Sequence, residues 1–155
     1  MRHLFAVLSF ALLSLAQTSA LQSGDAAVAS EQEGGFWVRV KPVIEVHLGR
    51  PYVWGACGMK SFDCSGFVWR VMNDSGIMIK RTTARKFYMC LPRVEQKARW
   101  SPGNIVFFDD LKHCGIVAGP RTFYHSESSI GTNLSKFDPY WRRKIYGFRT
   151  MPQIH

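Results

Sequence analysis

The chain has 155 residues, 46% of them apolar and 20% charged, with a formal charge of +9. These are the proportions of one ordinary globular domain. Its 11 Phe, 5 Trp and 5 Tyr exclude an intrinsically disordered tail, and no apolar run reaches the roughly 18 residues of a bilayer-spanning helix.

The N-terminus reads as an export signal. Arg2 precedes a mostly apolar stretch from Leu4 to Ala16, and Gln17-Thr18-Ser19-Ala20 puts small residues at the two positions a signal peptidase inspects. Residues 1–20 are therefore expected to be a cleaved Sec-type signal peptide that sends the protein to the periplasm or the cell exterior, with no stable membrane insertion. No Cys follows the cleavage site, so no lipid attachment is expected. Residues 21–35, LQSGDAAVASEQEGG, are small, polar and acidic, as in a flexible leader or linker. Residues 36–155 have the size of one small domain and show no internal repeat, which leaves no room for a separate wall-targeting module.

Cleavage removes only Arg2 from the 20 Lys and Arg that stand against 11 Asp and Glu, so the exported domain stays cationic. Such a domain suits a polyanionic neighbourhood, an anionic wall polymer among others. The longest basic run is Arg142-Arg143-Lys144, with no nucleic-acid signature beside it. No nucleic-acid partner is expected, and the charge reads as a solvated basic surface.

In chain order, helices come first. Apolar residues at 36, 40, 43, 44 and 48 predict a helix over Phe36–Leu48 that stops at Gly49, with Pro42 as its start or a kink. Cys64, Phe67, Val68, Val71 and Met72 follow the i, i+3, i+4, i+7, i+8 rule, predicting an amphipathic helix with Cys64 in its first turn and an end before Ser75-Gly76. A third short helix is expected from Thr83 to Cys90. Beyond Pro102-Gly103 the pattern becomes β-prone at Ile105–Phe108, Cys114–Ala118, Thr122–His125 and Lys144–Arg149. Helices followed by strands read as α+β.

Four cysteines in an exported chain would ordinarily pair, but the setting of Cys64 in Phe62-Asp63-Cys64-Ser65-Gly66 puts a thiol at a helix start. There the unpaired N–H groups and the helix dipole favour thiolate, the nucleophile that acyl transfer needs. Asp63 opposes this, since an adjacent negative charge raises a thiol pKa, and a histidine is the natural counterweight. His113 and His125 flank a predicted hairpin. If Gly119, Pro120 and Arg121 form a three-residue connection, Ala118 faces Thr122, Gly115 faces His125, and His113 lies diagonally beside His125 on the same face. A two-residue turn would put the rings on opposite faces, so the pair requires an odd loop or a bulge. If His113 faces the site, Cys114 would then face away from it. That separation and the lack of any C-x-x-C pair argue against a metal site.

The strings Gly49-Arg50-Pro51-Tyr52-Val53-Trp54-Gly55, Phe62-Asp63-Cys64-Ser65-Gly66-Phe67-Val68, Pro102-Gly103-Asn104-Ile105-Val106-Phe107-Phe108 and His113-Cys114-Gly115-Ile116 resemble, in this order, the NlpC-type (p-sixty) cell-wall cysteine peptidases. The resemblance runs from Phe36 to Arg149 and continues through Tyr140-Trp141 and Gly147-Phe148-Arg149. It implies a papain-like α+β fold, with a nucleophile helix packed on an antiparallel sheet. It also implies a secreted peptidoglycan hydrolase, a thiol endopeptidase cutting stem peptides between D-glutamate and the diamino acid. Carried over by position, Cys64 matches the nucleophile, His113 the general base and His125 the third polar residue. Tyr52 matches a tyrosine whose hydroxyl lies near the thiol, and Asp63 and Ser65 match residues flanking it in the substrate cleft. No cofactor is implied, and a monomer acting on peptidoglycan stem peptides is expected.

Three departures leave the triad untouched: Ala56 where a second glycine is usual, Asn104 where aspartate is usual, and Cys114 where a β-branched residue is common. With Cys64 free, Cys57, Cys90 and Cys114 permit at most one internal bridge. The alternatives are a CHAP-like peptidoglycan amidase, whose third residue is typically acidic, and a non-catalytic cationic wall-binding module, which would not require the Cys64, His113 and His125 trio.

Overall fold

A computed structural model describes residues 35–152. The predicted signal peptide, and the leader up to residue 34, lie outside the described residues. Helix α1 (residues 35–46) presents Phe36, Val40 and Ile44 to the core, a spacing of four that keeps one stripe inward. It runs through Pro42, which neither starts nor visibly ends it. Pro42 and Val38, the residue whose carbonyl would lose its partner, are both exposed, so water can satisfy the freed oxygen. Helix α2 (Cys64–Asp74) buries Phe67, Val68, Val71 and Met72 completely, the stripe that its periodicity predicts. Helix α3 (Ala84–Cys90) starts one residue later than expected, because Thr83 serves as its cap, its hydroxyl accepting from Lys86 N–H at 3.3 Å. Among the described residues no helix is long and apolar enough to cross a membrane.

The strands are β1 (Ile105–Phe108), β2 (His113–Gly119), β3 (Thr122–Glu127), β4 (Gly131–Lys136) and β5 (Ile145–Arg149), and helix α4 (Pro139–Lys144) lies between the last two. They form one antiparallel sheet in the order β4-β3-β2-β1-β5. This is the α+β architecture expected. Strand β4 and helix α4 were not predicted. β4 is an edge strand of polar residues, with Leu134 half exposed, and α4 has six residues, too few for a helical period to register.

Alternation along the strands divides the core in two. Ile105, Phe107, Cys114, Ile116 and Tyr124 face the helices α1 to α3. Val106, Phe108, Val117 and Phe123 face the other way and pack with Phe137, Trp100 and Trp141. The β2–β3 hairpin decides which histidines share a face. Gly115 pairs with His125 as expected, but Thr122 pairs with Gly119, and the register shifts between Val117 and Gly119. The loop therefore has two residues, Pro120 and Arg121, and a bulge at Ala118 restores the parity that a two-residue turn alone would break.

Candidate active site

Asp63 caps α2 and organises the ground around the sulfur. Its Oδ1 accepts from Gly66 N–H at 2.5 Å, from Ser65 Oγ at 3.0 Å and from Arg81 Nη2 at 2.9 Å; its Oδ2 accepts from Gly55 N–H at 3.0 Å and Arg81 Nη2 at 2.7 Å. Arg81 Nη1 also donates to Ser65 Oγ at 3.0 Å. The carboxylate is thus a cap, a clamp on the Tyr52–Gly55 loop and one half of an ion pair. The same loop crosses the helix start so closely that a Cβ at Gly66 would overlap the Ala56 carbonyl oxygen, which accepts from Asp63 N–H at 2.9 Å. Glycine is what lets the loop seat there.

Cys64 opens α2 and is 7% exposed. Its Sγ lies 3.8 Å from the Lys112 carbonyl oxygen, at the approach to β2. A hydrogen bond from the Cys114 thiol, followed by the hydrogen bond and charge of His113, holds the Cys64 thiol down at about 5; burial and the Asp63 charge push the other way. Burial raises the Cys114 thiol well above its ordinary value, so it stays a neutral donor. All four cysteines, Cys57, Cys64, Cys90 and Cys114, are free thiols.

Cys114 does point away from His113, as alternation requires, but that direction leads to the nucleophile. Helix α2 packs on the sheet face that carries Cys114, whereas His113 belongs to the opposite face and meets the sulfur from the first position of β2. The expectation that Cys114 would be remote from the site was therefore wrong, because the sulfur sits where both faces can reach it.

His113 Nε2 lies 2.8 Å from His125 Nδ1, the rings crossing at 83°. Trp141 stacks on His113 at 5.4 Å and meets His125 edge-on at 5.0 Å, covering one side of the pair. His125 is fully buried. Burial, then the His113 charge, holds its pKa down at about 3, so at neutral pH it is an uncharged partner with one donor and one acceptor nitrogen.

Cys64 opens onto a cleft of about 540 Å³ whose walls include Tyr52, Trp54, Arg81, Arg85 and Lys112, a size that suits a short peptide segment. Burial, then the negative charges of Cys64 and Asp63, raises the Tyr52 hydroxyl pKa, which keeps it protonated and able to donate. Trp54 is 84% exposed at the rim. Before His113 the chain passes through three consecutive left-handed residues, Asp109 (φ 49°), Asp110 (φ 51°) and Leu111 (φ 69°). The two aspartates tolerate that region and the leucine does not, a local cost of roughly 1–2 kcal/mol borne beside the site.

The structure thus gathers every predicted site residue, Tyr52, Asp63, Cys64, Ser65, His113 and His125, around one sulfur. Sequence reasoning passed over Arg81, although Arg81-Thr82-Thr83 directly precedes a capped helix. It also gave no place to Trp141 beside the triad, since no spacing could reveal that Trp141 packs on both imidazoles.

The chain is similar to known proteins over most of this domain. The model of the NlpC/P60 family matches residues 49–150. The chain is 33% identical over 105 residues to "Probable peptidoglycan endopeptidase LytE" of Bacillus subtilis (strain 168), covering 64% of this chain and 30% of that protein. It is 41% identical over 109 residues to "Probable endopeptidase p60" of Listeria innocua, covering 66% of this chain and 22% of that protein. The chain therefore spans less than a third of the length of these curated relatives. A solved NLP/P60-family protein of Staphylococcus aureus subsp. aureus Mu50, described as similar to lipoprotein, superposes with a TM-score of 0.67 at 24% identity, covering 77% of this chain and 42% of that one. With the family model matched across the loop of Tyr52, the helix of Cys64 and the whole sheet, this chain belongs to the NlpC/P60 family.

Proposed function

We propose that this chain is an exported peptidoglycan hydrolase: a cysteine endopeptidase that cuts stem peptides at the bond between D-glutamate and the diamino acid. The observation that carries the reading is one sulfur, held near pKa 5 at a helix start and backed by two imidazoles 2.8 Å apart. Peptidoglycan as substrate is supported by the name of the Bacillus subtilis relative, a probable peptidoglycan endopeptidase. It is also supported by a cleft whose cations, Arg81, Arg85 and Lys112, suit peptides rich in carboxylates.

The chemistry follows from the placement. His113 takes the proton of Cys64, and the thiolate attacks the scissile carbonyl carbon. The tetrahedral intermediate collapses to a thioester as His113 returns the proton to the leaving amine, and water then hydrolyses the thioester. The backbone N–H of Cys64 and the Tyr52 hydroxyl are the oxyanion donors. His125 orients His113, and because it is neutral it stabilises the imidazolium less than a carboxylate would. Asp63 and Ser65, tied to Arg81, shape the polar end of the cleft where a charged stem peptide enters. Residues 1–20 act as the signal peptide that brings the enzyme to this substrate.

Purified protein incubated with peptidoglycan is expected to release soluble fragments whose masses identify a new diamino-acid amine terminus. Cys64→Ala should release none while keeping the wild-type circular dichroism spectrum. Undiminished release by Cys64→Ala would end the thiol mechanism.

A further inference from the structure

The hydrogen-bonded line that starts at His113 continues past His125. His125 Nε2 lies 2.9 Å from Ser135 Oγ on the edge strand β4, and the Ser135 hydroxyl donates to Asn133 Oδ1 at 2.8 Å. Asn133 stands opposite His125 in the β3–β4 register and Ser135 opposite Phe123, so alternation puts all of them on the sheet face of His113. The Asn133 amide is itself oriented, because its Nδ2 donates to the Gly131 carbonyl oxygen at 3.0 Å. Oδ1, which can only accept, is left facing Ser135.

A pure acceptor at one end fixes every proton along the line. Ser135 gives its proton to Asn133 and so receives one from His125 Nε2–H. His125 Nδ1 is then bare and accepts from His113 Nε2–H. His113 Nδ1 is left bare, free to take the proton of Cys64.

We infer that Ser135, held by Asn133, is a positioning residue that locks His125 in its Nε2–H tautomer and thereby aims the basic nitrogen of His113 at the nucleophile. The inference rests on the reading of Cys64 and His113 as nucleophile and base. Burial keeps His125 neutral, and only a neutral ring has a tautomer to fix. The Glu127 carboxylate, 3.8 Å from His125 Nε2, draws the same proton to the same nitrogen. A hydroxyl and an amide thus take, in direct hydrogen-bond contact, the orienting part that a buried carboxylate plays in other triads.

Nitrogen NMR of histidine-labelled protein at neutral pH reads the tautomer directly. Wild type is expected to show His125 protonated on Nε2 alone. Ser135→Ala should mix the two tautomers and lower kcat on stem peptide on the order of tenfold with KM unchanged, and Ser135→Thr should restore both signals. A native His125 carrying its proton on Nδ1 would overturn the inference. So would a Ser135→Ala variant whose kcat stays within about twofold of wild type, whatever its tautomer. Because the tautomer is read without substrate, inactivity of the wild type on stem peptides would count against the proposed function alone.

Discussion

The two faces of the sheet solve opposite electrostatic problems. On the face that carries α2, an anionic sulfur is buried among Phe67, Val68 and Ile116 and is made tolerable by donors: the helix start and the Cys114 thiol. On the other face, two imidazoles are enclosed by Phe108, Phe123 and Trp141, and there the need is for acceptors that fix where the protons sit. A buried charge requires donors and a buried neutral ring requires a directed acceptor. The site works because β2 begins where the two solutions meet.

The largest effect should come from removing the imidazole that joins the faces. His113→Ala is expected to lower turnover on the order of a thousandfold, measured as release of soluble fragments from peptidoglycan, with the fold retained because the side chain lies at a strand end. Residual activity near the wild-type level would mean that the second face takes no part in the chemistry.

On the α2 face, Gly66→Ala should cost roughly 2 kcal/mol or more of stability in denaturant unfolding, since the new Cβ meets the Ala56 carbonyl and the loop must move. An unchanged unfolding midpoint would show that the loop does not depend on that close approach. Cys114→Val tests the donor more gently. Removing a hydrogen bond to the thiolate raises the Cys64 pKa, so the acid limb of the pH–rate profile should move upward from about 5 while the plateau at higher pH is kept. A limb that stays in place would remove Cys114 from the account. The smallest effect concerns the approach to His113. Asp110→Gly, exposed at φ 51°, should change stability by less than about 0.5 kcal/mol in thermal unfolding, because the aspartate already tolerates that region and glycine adds freedom to the unfolded chain, and a clear loss would show that the aspartate side chain holds the turn.

The elements legible in the sequence were those with a period and a buried stripe. Cys64 to Met72 predicted α2 and its inward face, and the parity of β2 and β3 predicted the pairing of Gly115 with His125. Parity could demand a bulge but could not place it at Ala118, because a bulge is a property of two strands together. β4 was illegible since its stabilisation is backbone pairing with β3 rather than apolar burial, and with it went Asn133 and Ser135. Asp63 was legible as the negative charge beside the thiol. That its carboxylate is shared with Arg81 was not, since eighteen residues separate the partners and nothing periodic links them. The relation of Cys114 to Cys64 failed for a simpler reason: alternation states which face a side chain takes but not what waits on that face.

The central claim is that both faces converge to ionise one sulfur at neutral pH. Its most direct measurement is the rate of Cys64 alkylation by iodoacetamide as a function of pH, read by peptide mass mapping so that the other three thiols serve as internal references. The account predicts that Cys64 reacts with a midpoint near pH 5. A Cys64 rate that rises only in the ordinary range of a free thiol would contradict it.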